Sequence, residues 1–274
     1  MITLQIPASR WVYGQKTVAI PPALSYATPV ENTSIYGGSI VPHEIVQQVL
    51  DILFPPHCAG CQKSGSILCP TCIAKVRPFA PPFCSHCGTA LPTTYAVCRQ
   101  CQYHRLYLSG LRATGSYEEP LRSYIHALKY DGNRRLAKPL GQLLAQTCVN
   151  YGLRADAIVP VPLHRNRQRA RGYNHAHLLA EVCAAQVSMP LRSDIVIRHR
   201  DTSPQVGLTA SQRQQNVAGA FSCIPAFTGG ALYGRTILIV DDVCTTGATV
   251  EACAAPFFAA GAKAVWGLVL ARPV

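Results

Sequence analysis

The chain has 274 residues, 49% of them hydrophobic, with 25 Lys+Arg against 13 Asp+Glu for a net charge of +12. That length suits one ordinary domain with a smaller module, and the apolar share is ample for a packed core. No apolar run reaches the roughly 18 residues of a membrane span, and the first residues lack the basic start, apolar block and cleavage site of a secretory signal. A soluble, cytoplasmic protein with no membrane span is expected.

Residues 1–40 mix Pro, Gly, Ser and Thr without sustained periodicity, which predicts a poorly ordered N-terminal arm. In HEIVQQVLDILF (43–54), Ile45, Val46, Val49, Leu50 and Leu53 share one helical face, so a helix is expected to lead into the next module. That module, 41–105 with its helix, contains four CxxC pairs: Cys58/Cys61, Cys69/Cys72, Cys84/Cys87 and Cys98/Cys101. A CxxC turn lets two thiolates converge on one tetrahedral ion, and two turns close a four-cysteine site, so the eight cysteines predict two structural Zn²⁺ sites. Sequential sharing is the simplest arrangement; crossed pairing remains open. The other cysteines, Cys148, Cys183, Cys223, Cys244 and Cys253, are scattered singly and read as small core residues. No acidic residue lies between Asp51 and Glu118, so this stretch is strongly basic.

From about residue 106 strands alternate with helices. LSGLRATGSY (108–117) reads as a strand pair, 120–132 and 136–152 as helices, and DAIVPVPL (156–163) as a strand buried on both faces. Then follow a helix (173–187), strands at 194–200 and 236–243, a helix at 249–262 and a last strand at 264–272. This predicts an α/β fold: a parallel sheet flanked by helices over 106–274, with its ligand beyond the carboxyl ends of the strands. HRNRQRARGYNH (164–175) carries Arg165, Arg167, Arg169 and Arg171 on alternate positions, a pattern that attracts phosphorylated ligands or a nucleic-acid backbone.

ILIVDDVCTTGATV (237–250) ends a buried strand on Asp241 and Asp242 and continues into Thr245, Thr246, Gly247, Ala248 and Thr249. Two carboxylates suit the vicinal hydroxyls of a sugar. The threonine hydroxyls and the N-terminal N–H groups of the next helix suit a phosphate, and Gly247 permits close backbone approach.

This stretch resembles the phosphoribosyl-pyrophosphate (PRPP) motif of type I phosphoribosyltransferases, with Cys244 where an aliphatic residue is usual. Together with ALKYDGN, the 156–180 segment, RDTSPQVGLTASQRQQNVAGAF and the four CxxC pairs, residues 43–274 resemble the ComF family of competence proteins, also called the ComFC/GntX type. The resemblance implies a double zinc ribbon followed by a phosphoribosyltransferase-like domain in which Asp241 and Asp242 hold the ribose and 245–249 the 5′-phosphate. It implies a pyrophosphate loop at Leu163, His164 and Arg165, a flexible lid bearing Gln205, Arg213 and Asn216, and a phosphate contact from Lys129. It also implies Mg²⁺ carried with PRPP. The biological role implied is DNA uptake in natural transformation, through single-stranded DNA or a competence helicase, with Arg167, Arg169 and Arg171 as nucleic-acid contacts. No acceptor-base pocket is identifiable in the sequence, so a catalytically active phosphoribosyltransferase of nucleotide metabolism is the alternative.

Overall fold

A computed structural model describes residues 52–79, 82–92, 97–103, 107–203 and 207–273. The arm expected over 1–40 and most of the helix expected over 43–54 lie outside them. Residues 55–274 form one compact unit. No helix among the described residues is long and apolar enough to cross a membrane.

The centre of the larger unit is a four-stranded parallel sheet. Its strands are β1 (Gly110–Ser116), β2 (Ala157–Pro160), β5 (Thr236–Val243) and β6 (Ala264–Arg272), in the order β1-β6-β5-β2. A parallel bridge from Ile158 to Leu191 extends the edge beside β2. Alternate side chains of each strand enter opposite cores. Ile158, Leu238, Val240, Leu268 and Leu270 face one core, and Ala157, Val159, Ile237, Ile239, Val265 and Val269 face the other. Both faces are buried, which is why these strands are continuous apolar runs.

The first core is covered by α3 (Leu121–Tyr130), α4 (Ala137–Asn150) and α6 (His175–Val187), together with Cys58, Leu68 and Cys72. Leu121, Tyr124, Ile125 and Leu128 form the inward stripe of α3, at the spacing one helical face requires. Helices α4 and α6 pack so closely that a Cβ on Gly141 would meet Val182 at 2.6 Å. The second core is covered by α8 (Ala248–Ala259), by Cys84, Cys87 and Cys101, and by a two-stranded antiparallel ribbon of β3 (Val196–Arg198) and β4 (Phe221–Cys223). Two short helices, α1 (Pro70–Ile73) and α2 (Arg99–Tyr103), lie in the cysteine module.

Three details differ from the sequence reading. Residues 108–117 supply one strand, β1, and not a pair. The glycines that resemble turn signals serve close approach instead: a Cβ on Gly110 would lie 2.4 Å from the Trp266 ring, and one on Gly115 would lie 2.6 Å from the Arg77 carbonyl oxygen. The strand expected over 194–200 forms, but it pairs antiparallel with β4 outside the main sheet. Residues 165–171 and 210–217 form two further helices, α5 (Arg165–Arg171) and α7 (Ala210–Val217), whose polar sequences carry little apolar periodicity.

Candidate functional site

Strand β5 delivers Asp241 and Asp242 to the carboxyl edge of the sheet, both buried. Strand alternation starts the two side chains on opposite faces, yet an oxygen of each converges with a His175 nitrogen, all within 4.8 Å of one another. Asp242 faces the side of α3 and α6: Lys129 Nζ, in the last turn of α3, lies 2.7 Å from Asp242 Oδ2. The contact is a close ion pair, and the carboxylate oxygen has a second lone pair with which to accept from a ligand. His175 Nε2, at the start of α6, lies 3.5 Å from Asp242 Oδ1 and 3.9 Å from Asp241 Oδ1. Arg171 Nη1 is 2.7 Å from His175 Nδ1. A guanidinium can only donate, so Nδ1 accepts and the ring proton sits on Nε2, facing the carboxylates.

The electrostatics separate the two acids. Burial opposes charge on Asp242, but Lys129 and His175 outweigh it and hold the carboxyl well below its usual range. Asp241 has no cation so close: burial first, then the neighbouring Asp242, push it up to about 7. Burial lowers the pKa of His175, keeping the imidazole neutral, while Lys129 is raised by the two acids against its own burial. One carboxylate is thus firmly ionised beside one that titrates near neutrality.

Beyond the acids the chain turns through Gly247, at φ +90°, into α8. A left-handed residue is needed there, and glycine adopts it without a Cβ penalty. No N-cap side chain covers the first turn of α8, although Thr246 Oγ1 accepts from the Ala248 N–H at 3.4 Å. Arg213 of α7 donates to Thr245 Oγ1 at 2.8 Å, so the predicted lid segment touches the threonine turn. Asn216 exchanges side-chain hydrogen bonds with the Ser203 backbone; Gln205 lies outside the described residues.

The loop after β2, with Leu163 and His164 half-buried, leads into α5. There the four alternating arginines are split by helical periodicity, because positions four apart share a face and positions two apart do not. Arg167 turns inward to the Thr202 carbonyl and to Asp201, at 3.8 Å, and Arg171 to His175 and the Tyr130 ring. Arg165 and Arg169 are exposed on the other face. His164 Nδ1 lies 3.2 Å from Asp201, and Asn166 donates to the same carboxylate at 2.9 Å.

Two groups near this edge were not singled out in the sequence. His175 is one: its first position in α6, after the Asn174 cap, gives no local sign that the carboxylates are opposite. Arg198 of β3 is the other, buried over the Phe221 ring, with its Nε lacking a hydrogen-bond partner. Burial lowers its pKa, with Arg167 adding to that effect and Asp241 opposing it. An arginine on a three-residue strand is indistinguishable in sequence from a solvated one.

The cysteines form two separate groups. Cys58, Cys61, Cys69 and Cys72 converge, as do Cys84, Cys87, Cys98 and Cys101, with the thiol sulfurs of each group within 4.8 Å of one another. The grouping is therefore sequential, not crossed. Cys61 Sγ and Cys69 Sγ are 3.7 Å apart, and so are Cys87 Sγ and Cys98 Sγ. Four sulfurs about 2.3 Å from a tetrahedral zinc would be separated by about 3.8 Å, so the donor set and its spacing fit the ion. Burial alone would raise the Cys58 thiol, but the Tyr124 hydroxyl, 3.4 Å from Sγ, and backbone N–H groups bring it down to about 5. Cys84 is likewise lowered, to about 7, its backbone N–H donors outweighing burial.

The double zinc ribbon domain family matches residues 49–102. Competence protein F of Haemophilus influenzae is 33% identical over 225 residues, covering 78% of this chain and 96% of that protein. The DNA utilization protein YhgH of Escherichia coli is 31% identical over 211 residues, 75% of this chain and 90% of that protein. Among solved structures, the purine phosphoribosyltransferase of Pyrococcus horikoshii aligns with a TM-score of 0.30 at 18% identity, over 50% of this chain and 74% of that one.

Proposed function

Since the chain belongs to the ComF family, that of competence protein F, we propose that it serves DNA uptake in the cytoplasm. In this reading it binds PRPP at the β5 edge and engages single-stranded DNA, or a helicase bound to it, through its basic surface. The observation that carries the reading is the β5 edge itself: two buried carboxylates with opposite pKa displacements run directly into a threonine turn and an uncapped helix. Ionised Asp242 accepts a hydrogen bond from a ribose hydroxyl, Asp241 can accept or donate one near neutral pH, and the turn offers N–H and hydroxyl donors to the 5′-phosphate. The loop at Leu163, His164 and Arg165 follows β2 on the same edge and is the proposed pyrophosphate contact, with Lys129, Arg213 and Asn216 as the surrounding polar groups. Mg²⁺ would arrive with PRPP and offset the charge of the pyrophosphate. Oxygen ligands from Asp241 and Asp242 are of the class that such a hard ion takes.

For the nucleic acid, the split of α5 narrows Arg167, Arg169 and Arg171 to Arg169, the exposed one of the three, with Arg167 and Arg171 acting mainly through Asp201, Thr202 and His175. Changing Arg169 to alanine is expected to weaken binding to a single-stranded oligonucleotide and flatten the salt dependence by roughly 0.7 per lost phosphate contact. Binding unchanged by the substitution and by salt contradicts this assignment.

A second reading, an active phosphoribosyltransferase, draws support from Asp241, since a buried carboxyl titrating near 7 is a competent general base at neutral pH. Pyrophosphate release from PRPP and Mg²⁺ across a panel of nucleobases separates the two. Steady turnover with one base favours the enzyme; binding without turnover favours the competence factor.

A further inference from the structure

We infer that Tyr124 and Arg272 are positioning residues through which the two cysteine tetrads set the two halves of the ribose-phosphate site, so that zinc binding and ligand binding support each other. The inference rests on the reading of the β5 edge as a site for phosphorylated ribose.

Each tetrad belongs to one face of the sheet. Cys58 and Cys72 lie in the core of α3, α4 and α6, whereas Cys84, Cys87 and Cys101 lie in the core of α8. On the first face, the Tyr124 hydroxyl meets Cys58 Sγ at 3.4 Å, and the side chain is fully buried. A Cβ on Gly60 would lie 3.0 Å from that hydroxyl, so the first CxxC turn is pressed directly against it. Tyr124 and Lys129 stand on the same ten-residue helix, and Lys129 Nζ lies 2.7 Å from Asp242. Helix α3 is therefore a short rigid strut from the first tetrad to the ribose carboxylate.

On the second face, Arg272 at the end of β6 is buried and donates from Nη1 to the Cys87 carbonyl oxygen at 2.8 Å. The same nitrogen lies 4.0 Å from Cys244 Sγ, in the turn between the acids and the threonines. Cys244 is held to the adjacent Ala271 carbonyl through its own N–H at 3.0 Å. The Cys84/Cys87 turn of the second tetrad is further fixed to β1 by the Leu111 N–H on the His86 carbonyl at 2.7 Å and Arg112 on the Ser85 carbonyl at 3.0 Å. Cys244, where the related motif has an aliphatic residue, thus lies against the arginine that links the threonine turn to the second tetrad.

Coupling between two binding sites is reciprocal: if a filled tetrad favours the bound geometry, bound ligand must retard loss of zinc. The test uses the full, zinc-loaded chain. Zinc release to a chromogenic chelator is timed with and without PRPP and Mg²⁺, and PRPP affinity is measured for the wild type, Tyr124→Phe and Arg272→Lys. PRPP is expected to slow zinc release from the wild type several-fold, and Tyr124→Phe to weaken PRPP binding roughly two- to tenfold, the range of one lost hydrogen bond. The same substitution should lower zinc affinity roughly tenfold or more, as loss of a partner to a metal ligand commonly does. A purely structural role would lower the melting temperature while leaving PRPP affinity and ligand-dependent zinc release as they are, and that outcome overturns the inference alone. A wild type with no response to PRPP overturns the site reading together with the inference.

Discussion

The cysteine module and the β5 edge solve one problem in two ways, since each gathers groups that repel when ionised. The tetrads bring four thiols within 4.8 Å of one another in a stretch where no acidic residue occurs between Asp51 and Glu118, and their sulfur spacing fits an external cation. The β5 edge places two carboxylates side by side and sets against them the protein's own Lys129 charge and the Nε2–H of neutral His175. A site closed by a metal has no open position and serves structure. A site compensated from within leaves acceptor directions for a ligand, and one of its acids sits near 7, ready to change charge. Shared electrostatic tension therefore marks both regions, and the source of the compensating charge distinguishes scaffold from binding site.

The comparison predicts that losing the external cation has the larger consequence. Stripping zinc with a chelator under reducing conditions removes a contribution on the order of 10 kcal/mol per site, comparable to the whole stability of an ordinary domain. Loss of the cooperative thermal transition, followed by calorimetry, is expected; an unchanged transition would mean the tetrads hold no structural ion.

The internal cation is worth less. Lys129→Met leaves Asp242 buried and uncompensated, at a cost of roughly 3 kcal/mol, the lower end of the range for breaking a buried pair because the lysine keeps part of its side chain in solvent. Without Lys129, burial raises the Asp242 pKa, so the deficit should be greatest near pH 8 and shrink towards pH 4. Denaturant titrations at the two pH values read this directly, and a deficit independent of pH contradicts the pairing.

The smallest effect has the opposite sign. The folded-state pKa of Asp241 is raised to about 7 from an unfolded value of 3.8, so the folded state holds its proton longer and stability declines as pH rises between those values. Asp241→Asn removes that penalty and is expected to raise the melting temperature at pH 8 relative to wild type, with little change at pH 4, while weakening the ligand site. No gain at pH 8 contradicts the raised pKa.

What the sequence made legible follows from how locally each feature is encoded. The zinc groups rest on CxxC turns close together in the chain, and the β5 site on one contiguous run, so both can be read from short stretches. The compensating partners come from far along the chain: His175 and Lys129 reach Asp242 only once α6 and α3 are packed on the same face. Helix α5 was hidden because RNRQRAR has no apolar stripe, and only its ends, the His164 cap and left-handed Gly172, mark it. Helix α7 was hidden for the same reason, although Thr209 and Gln212 form a capping box that the TASQ spacing could have revealed.

The central claim, that the β5 edge binds phosphorylated ribose, is tested most directly by titration calorimetry of PRPP with Mg²⁺ into the zinc-loaded chain and into an Asp241→Asn, Asp242→Asn double variant. Saturable binding to the wild type and none to the folded double variant is the expected result. Equal affinity for both proteins, or no binding to either, contradicts it.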